Sequence, residues 1–173
     1  MDLIELNQRH QSDKGLKHPY LQKYYQPTFA PYQHQAINIL EVGIYHGASM
    51  NLWMSYFTQA KFWGIDIKDR SKYFSNASNL SLFVGKSDQQ KTYSKIKEMF
   101  DIIIDDGNHR AKTQIPTFEI LFKKLKPKGL YIIEDIVDLQ ELQTYFDAKD
   151  ISYTVHDFSD THEYDSIIIQ IQK

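Results

Sequence analysis

Residues 37–60 read INILEVGIYHGASMNLWMSYFTQA, and two periodicities meet inside them at a pair of glycines. The segment 37–43 is apolar and rich in β-branched residues, the pattern of a buried strand. Past Gly47, Met50, Trp53, Met54 and Phe57 recur at three- and four-residue spacings, the stripe of a helix. A strand therefore turns through glycine directly into a helix.

The same alternation continues along the chain. Strand-like runs stand at KFWGIDI (61–67), LSLFVG (80–85), DIIIDD (101–106), LYIIED (130–135), ISYTVHDF (151–158) and YDSIIIQIQK (164–173). Helical patterns fall between them at TYSKIKEMF (92–100), TFEILFKKLK (117–126) and LQELQTYFDAK (139–149). KPKG (126–129) supplies the Pro and Gly that should end the second of these helices. Alternating strands and helices imply a doubly wound, Rossmann-like α/β sheet of seven strands, mostly parallel. SDTHE (159–163) is too short for a helical crossover, so the C-terminal strand is expected antiparallel. No repeat or interdomain linker interrupts the pattern, and residues 1–173 read as one domain. Residues 1–36 are polar and tyrosine-rich, with Pro19, Pro27 and Pro31, and suit a helical or irregular cover on a core of 37–173.

The composition is that of a globular protein, with 42% hydrophobic and 24% charged residues in a chain of 173. A net charge of −2 gives no basic stripe for nucleic acid. Absence of cysteine removes disulfide and thiolate chemistry. The N-terminus lacks a signal-peptide pattern, and no apolar run reaches the ~20 residues of a membrane span. A cytoplasmic protein without a membrane partner is the expectation, with homo-oligomerisation left open.

In open α/β sheets ligands bind at the carboxyl ends of the strands. Those ends carry Glu41, Gly43 and Gly47 after the first strand, Asp66 after the second, and Ser87 and Asp88 after the third. Asp105, Asp106 and His109 follow the fourth, and Glu134 and Asp135 the fifth. Apolar runs that deliver carboxylates need something to compensate them: a helix end, a basic partner or a metal ion. Each piece alone has an ordinary explanation. Two glycines make a tight turn, Asp66 caps a helix or lies on the surface, and paired acids form salt bridges. Their convergence on one edge favours a ligand. Tyr45 and His46 fill positions where a dinucleotide loop needs small residues, which disfavours a nicotinamide enzyme. Asp66, about twenty residues beyond the glycine turn, suits a ribose diol. Asp106, Glu134 and Asp135 suffice for Mg²⁺, which accepts a few carboxylates and keeps several waters. His109 suits a general base. Tyr20, Tyr24, Tyr25 and Tyr32 read equally as core packing or as an aromatic wall for a ligand.

Several stretches together resemble one family: SDKGLKHPYLQKYYQPTF (12–29), ILEVGIYHGASMNLW (39–53), YFTQAKFWGIDI (56–67), FDIIIDDGNH (100–109) and TFEILFKKLKPKGLYIIED (117–135). They are similar to class I S-adenosylmethionine-dependent methyltransferases, and within these to the metal-dependent O-methyltransferases of macrolide sugars such as the mycinamicin and macrocin types. The resemblance implies that Glu41 and Gly43, at the glycine turn with Gly47, meet the methionine part of the cofactor. Asp66 would hold the ribose and Ser87 and Asp88 the adenine, with Asp105 on the cofactor side of the same edge. Asp106, Glu134 and Asp135 would bind Mg²⁺, and His109 would be the base. Lys14, with Ser12, His18 and Tyr20, would belong to an N-terminal motif covering the cofactor. The chain departs from the family at Asn108, where serine is common, and at Lys128, where a second glycine is usual. VGKSDQQ is also shorter than the family's corresponding loop. The implied partner is a small-molecule hydroxyl acceptor, a sugar or a catechol-type diol; a non-catalytic accessory role is the reading from another class.

Overall fold

A computed structural model of the chain describes every residue except 76 and 161–164. Its frame is a seven-stranded sheet in the order β3-β2-β1-β4-β5-β7-β6. The strands are β1 (Asn38–Val42), β2 (Lys61–Asp66), β3 (Leu80–Val84), β4 (Phe100–Asp105), β5 (Leu125–Ile133), β6 (Thr154–Asp157) and β7 (Ile167–Gln172). β7 pairs antiparallel with both β5 and β6, and every other pairing is parallel. The sequence-based fold is thus observed, with β7 as the one reversed strand. Residues 161–163 of the expected hairpin connection lie outside the described residues.

Period-two alternation divides the core between the two faces. Ile39 on β1 and Ile102 and Ile104 on β4 face one layer; Leu40, Val42 and Ile103 face the other. Helix α4 (Ala48–Tyr56) covers the first face together with the N-terminal segment, which holds α1 (Leu3–His10), α2 (Asp13–Leu16), a π-turn at Leu21–Tyr25, and α3 (Gln26–Phe29). Rings hold this layer together, with Trp53 4.9 Å from Tyr25 and 5.4 Å from Phe29. Helices α5 (Ala111–Leu121) and α6 (Leu139–Ala148) cover the second face through Phe118, Leu121, Leu142 and Phe146.

Three expectations differ. TYSKIKEMF is not an α-helix: Gln90–Tyr93 forms a 3₁₀ turn and irregular chain follows to β4. Threonine, tyrosine and serine are weak helix formers, and tertiary anchors win there. The Tyr93 hydroxyl donates to Ser87 O at 2.7 Å, and Lys124 Nζ donates to Ile96 O at 2.5 Å. KPKG lies within β5, where two steps along β4 (Phe100 to Ile102) face five along β5 (Leu125 to Leu130), a bulge with Lys128 at φ +64°. Helix α5 in turn starts at Ala111 rather than 117, because Asp138 accepts the Ala111 N–H at 3.2 Å and supplies the missing cap from a distance.

Candidate active site

Strand order reverses between β1 and β4, and a cleft of about 660 Å³ opens beyond their carboxyl ends. Gly43 makes this meeting possible. Its φ is +89°, and a Cβ there would stand 1.7 Å from the Asp106 carbonyl oxygen, so only glycine lets the end of β4 close against the end of β1. Gly47 does different work outside the cleft lining, at φ +79° against the Phe74 ring.

One wall of the cleft is built on Asp66. Its Oδ2 accepts from the N–H groups of Ile44 (3.1 Å) and Tyr45 (2.9 Å); its Oδ1 accepts from Lys68 N–H (2.9 Å) and lies 3.1 Å from Arg70 Nε. Burial alone would raise its pKa, but these donors outweigh it and hold the carboxyl below its ordinary value. Ser87 and Asp88 stand beside this wall in the cleft lining, and Asp88 Oδ1 is buried with no hydrogen-bond partner.

The other wall carries Asp106, His109 and Asp135. One ligand atom from each lies within 4.8 Å of the others. His109 Nε2 is 3.2 Å from Asp106 Oδ1 and 4.0 Å from Asp135 Oδ2. Burial works against a charged imidazole here, but the hydrogen bond and charge of Asp106, with Asp135, raise the His109 pKa. Behind these groups lies Glu134, wholly buried. Lys14 Nζ donates to Glu134 Oε2 and to Asp106 Oδ2, both at 2.6 Å, and the Tyr25 hydroxyl donates to Glu134 Oε1. The Tyr20 hydroxyl donates to Asp135 Oδ1 at 2.7 Å. The acids that looked uncompensated in the sequence thus have a basic partner and two phenols, all from the N-terminal segment.

Charge is still unequal to the task. Burial and the neighbouring Asp106 and Asp135 push Glu134 well above its ordinary pKa despite Lys14, and burial and Asp106 raise Asp135. Burial, which disfavours the ammonium, is outweighed in Lys14 by four carboxylates, so it stays charged; Asp106 is held low by Lys14 and His109 against its own burial. Lys14 alone does not neutralise the cluster. An oxygen-rich site with surplus negative charge fits a hard divalent cation.

Of the residues singled out in the sequence, Gly43, Asp66, Ser87, Asp88, Asp106, His109 and Asp135 line the cleft; Lys14, Glu41, Gly47, Asp105 and Glu134 do not. Asp105 points to the opposite face, where the Tyr131 hydroxyl donates to it at 3.4 Å and burial lifts its pKa to about 7. Glu41 is wholly buried, with Trp53 Nε1 donating to Oε1 at 3.1 Å and Oε2 left without a hydrogen-bond partner. Tyr20, Tyr24 and Tyr25 are buried and build no wall in the cleft. Arg70, Asp13 and Thr113 line it without having been foreseen. For Arg70 the signal was present, a cation four residues after Asp66. Backbone strain also marks the place: Tyr45 (φ +48°), His109 (+61°) and Asp135 (+50°) are non-glycine residues in the left-handed region, and all three line the cleft.

Among the described residues no helix is long and apolar enough to cross a membrane. The 8-demethyl-8-(2-methoxy-alpha-L-rhamnosyl)-tetracenomycin-C 3'-O-methyltransferase of Streptomyces olivaceus is 36% identical over 146 residues, 78% of this chain and 37% of its own length. The mycinamicin VI 2''-O-methyltransferase of Micromonospora griseorubida is 31% identical over 146 residues, 78% of this chain and 36% of its own length. The crystal structure of the MycE methyltransferase from the mycinamycin biosynthetic pathway, in complex with Mg, SAH and mycinamycin VI, is similar over 100% of this chain and 54% of its own, with a TM-score of 0.81 and 26% identity. The chain spans little more than a third of the curated relatives it matches and about half of that structure. A family model described as a methyltransferase domain matches residues 40–136, more than half of the 173, and the chain belongs to that methyltransferase-domain family.

Proposed function

We propose that the chain binds S-adenosylmethionine and a divalent cation, Mg²⁺ in the first instance, and transfers the methyl group to a hydroxyl of a sugar-bearing small molecule. The observation that carries this reading is the meeting of Asp106, His109 and Asp135 within 4.8 Å, in the cleft whose other wall is Asp66. The sugar O-methyltransferases among the relatives, and the Mg and SAH in the MycE structure, support the choice of cofactor and acceptor.

Bound cofactor would supply an electrophilic methyl on sulfur, and bound cation would make the acceptor hydroxyl more acidic. The remaining work falls to this chain's residues. Asp66 takes the ribose diol: its carboxylate already accepts three backbone N–H groups, and the Oδ1 contact with Arg70 Nε at 3.1 Å is the one a diol would replace. Asp88 Oδ1, buried and unpartnered in the cleft lining, is the acceptor for an adenine amine. Asp106 and Asp135 would hold the cation. His109 would be the base: a cation on Asp106 would release the Nε2–H···Oδ1 hydrogen bond, and the neutral imidazole then takes the acceptor's proton as the carbon–oxygen bond forms and the methyl–sulfur bond breaks. Rigid strand ends hold donor and acceptor in line.

Calorimetric titration with S-adenosylmethionine and its demethylated product, with and without Mg²⁺, tests the reading, followed by methyl transfer to rhamnosyl and related deoxysugar acceptors. Binding that is lost in Asp66→Ala, with transfer abolished by EDTA, is expected. No binding to the wild-type chain in either condition overturns it.

A further inference from the structure

Asp105 is 1% exposed and turned away from the cleft, on a face where β4 is packed as core: Ile103, two residues before it, lies in one cluster with Tyr93, Phe118 and Tyr131. An acid placed there is destabilising unless its oxygens are used. They are. The Tyr131 hydroxyl donates to Oδ2 at 3.4 Å, and the Gly107 N–H donates to the same carboxyl group. We propose that Asp105 is a positioning residue for the chemistry: it fixes the turn that leaves β4 by holding the Gly107 N–H, and through that turn it aims Asp106 and His109 into the cleft. What those two residues then do rests on the function proposed above.

Three observations carry it. Sheet bonding along β4 ends at Asp106: Asp105 O accepts the Glu134 N–H at 3.0 Å, and the Asp106 N–H donates to Val42 O at 3.0 Å. The Gly107 N–H is the next donor along the chain, and it turns back to the Asp105 side chain instead of reaching a strand. The fit is also close. A Cβ on Gly107 would stand 3.3 Å from Asp105 Oδ1 and 3.5 Å from Val42 Cγ1, so the turn lies directly on the carboxyl group. Finally, His109 follows the turn by two residues, at φ +61° and with Nε2 3.2 Å from Asp106 Oδ1. The direction in which the chain leaves Gly107 therefore decides where the imidazole stands. The nucleoside side of the cleft is held separately, since Ser87 O accepts from the Tyr93 hydroxyl at 2.7 Å and Ser87 Oγ from Thr117 Oγ1 at 3.0 Å. A change at Asp105 should reach the base and leave cofactor binding alone.

Asparagine keeps an acceptor oxygen for the Gly107 N–H, and the Tyr131 hydroxyl can accept from its amide; leucine continues the apolar face and offers no acceptor. Wild type, Asp105→Asn and Asp105→Leu would be compared in three ways, with Asp105→Ala standing in should the leucine variant not fold. These are methyl transfer to a rhamnosyl acceptor, calorimetric affinity for the demethylated cofactor, and hydrogen exchange of the Gly107 amide in EDTA. Asp105→Leu is expected to lower turnover at saturating substrates by about 10²-fold, the effect of a misplacement of about 1 Å. Cofactor affinity stays unchanged, and Gly107 exchange quickens by roughly tenfold with its hydrogen bond gone. Asp105→Asn restores most of the turnover and the protection. Unaltered turnover in the leucine variant overturns the proposal, because a merely structural residue would lower the melting temperature alone. An asparagine variant as slow as the leucine one also overturns it, as does cofactor affinity that falls in step with turnover. A wild-type chain that neither binds the demethylated cofactor nor transfers methyl overturns the function instead, and Gly107 exchange alone then decides whether Asp105 holds the turn.

Discussion

The two walls of the cleft solve one problem, a carboxylate held out of water, in opposite ways. Asp66 is satisfied locally, by three backbone N–H groups within 22 residues and by an arginine four residues on. Its pKa falls. The acids of β4 and β5 are satisfied from far away, by Lys14, Tyr20 and Tyr25, and those of Glu134 and Asp135 rise. Backbone amides settle a negative charge on their own terms. Carboxylates crowded around one ammonium remain short of positive charge, and that shortage is what suits the second wall to a cation. On the proposed function, the first wall would hold the cofactor and the second would carry the chemistry.

This division predicts that binding and chemistry separate by mutation. His109→Gln is expected to lower turnover by about 10²–10⁴-fold, the usual worth of a general base, with affinity for the demethylated cofactor unchanged. Asp66→Asn should do the reverse, weakening that affinity and leaving the bound complex competent. Single-turnover rates at saturating cofactor, set beside calorimetric affinities, make the test. If both variants lose affinity and rate together, the two walls are one unit and the contrast fails.

Stability should break along the same line. Lys14→Met leaves buried carboxylates without their counter-ion, and removing one partner of a buried pair costs about 3–5 kcal/mol. Asp66→Asn keeps a hydrogen-bond acceptor in place and loses the charge, about 1–3 kcal/mol for a buried group. Urea unfolding of both variants in EDTA measures the difference.

How much of this was visible in the sequence follows the same divide. Strand and helix periodicity set out the sheet, and the glycine turn, Asp66, Asp106, His109 and Asp135 all stand at strand ends, where the α/β rule sends the reader. Local partners were within reach as well: Arg70 is four residues from Asp66. The Lys14 pair was not, because no spacing links position 14 to positions 106 and 134; only the docking of α2 joins them. Period two also puts Asp105 and Asp106 on opposite faces, and the sequence did not say which of them the cleft takes. The lost helix at TYSKIKEMF and the strand running through KPKG are tertiary overrides, decided by the Tyr93 and Lys124 anchors and by the bulge opposite β4.

Glu41 links the two walls, on β1 between them, and its titration is a finer probe. Burial, opposed by Lys14, raises its carboxyl to about 7, above the ~4.3 of an unfolded glutamate. A group whose folded pKa is raised favours the folded state while it is protonated. That contribution is complete below about pH 4 and disappears as pH rises through about 7. In EDTA, stability should therefore fall from pH 5 to 8, and Glu41→Gln should remove up to ~3 kcal/mol of that fall. Unfolding midpoints across the range give the slope. A slope unchanged in the variant means that Glu41 is ionised throughout and that the ammonium already owns it.

The smallest effect should come from Tyr45, where the first wall stores strain. A left-handed φ costs a bulky residue roughly 1 kcal/mol, and Tyr45 adopts +48° while its ring is largely exposed. Its N–H still donates to Asp66. Asparagine tolerates that conformation and keeps the N–H, so Tyr45→Asn should stabilise the chain by about 0.5–1 kcal/mol. His109 and Asp135 carry comparable strain on the second wall, yet their side chains form the acidic cluster with Asp106, so on the proposed function relieving it there would cost chemistry. Tyr45→Asn with unaltered cofactor affinity would mean that the tyrosine's strain only bends the loop toward Asp66. Weaker affinity at higher stability would mean instead that the exposed ring, stacked over Arg70 at 5.8 Å, takes part in holding the nucleoside.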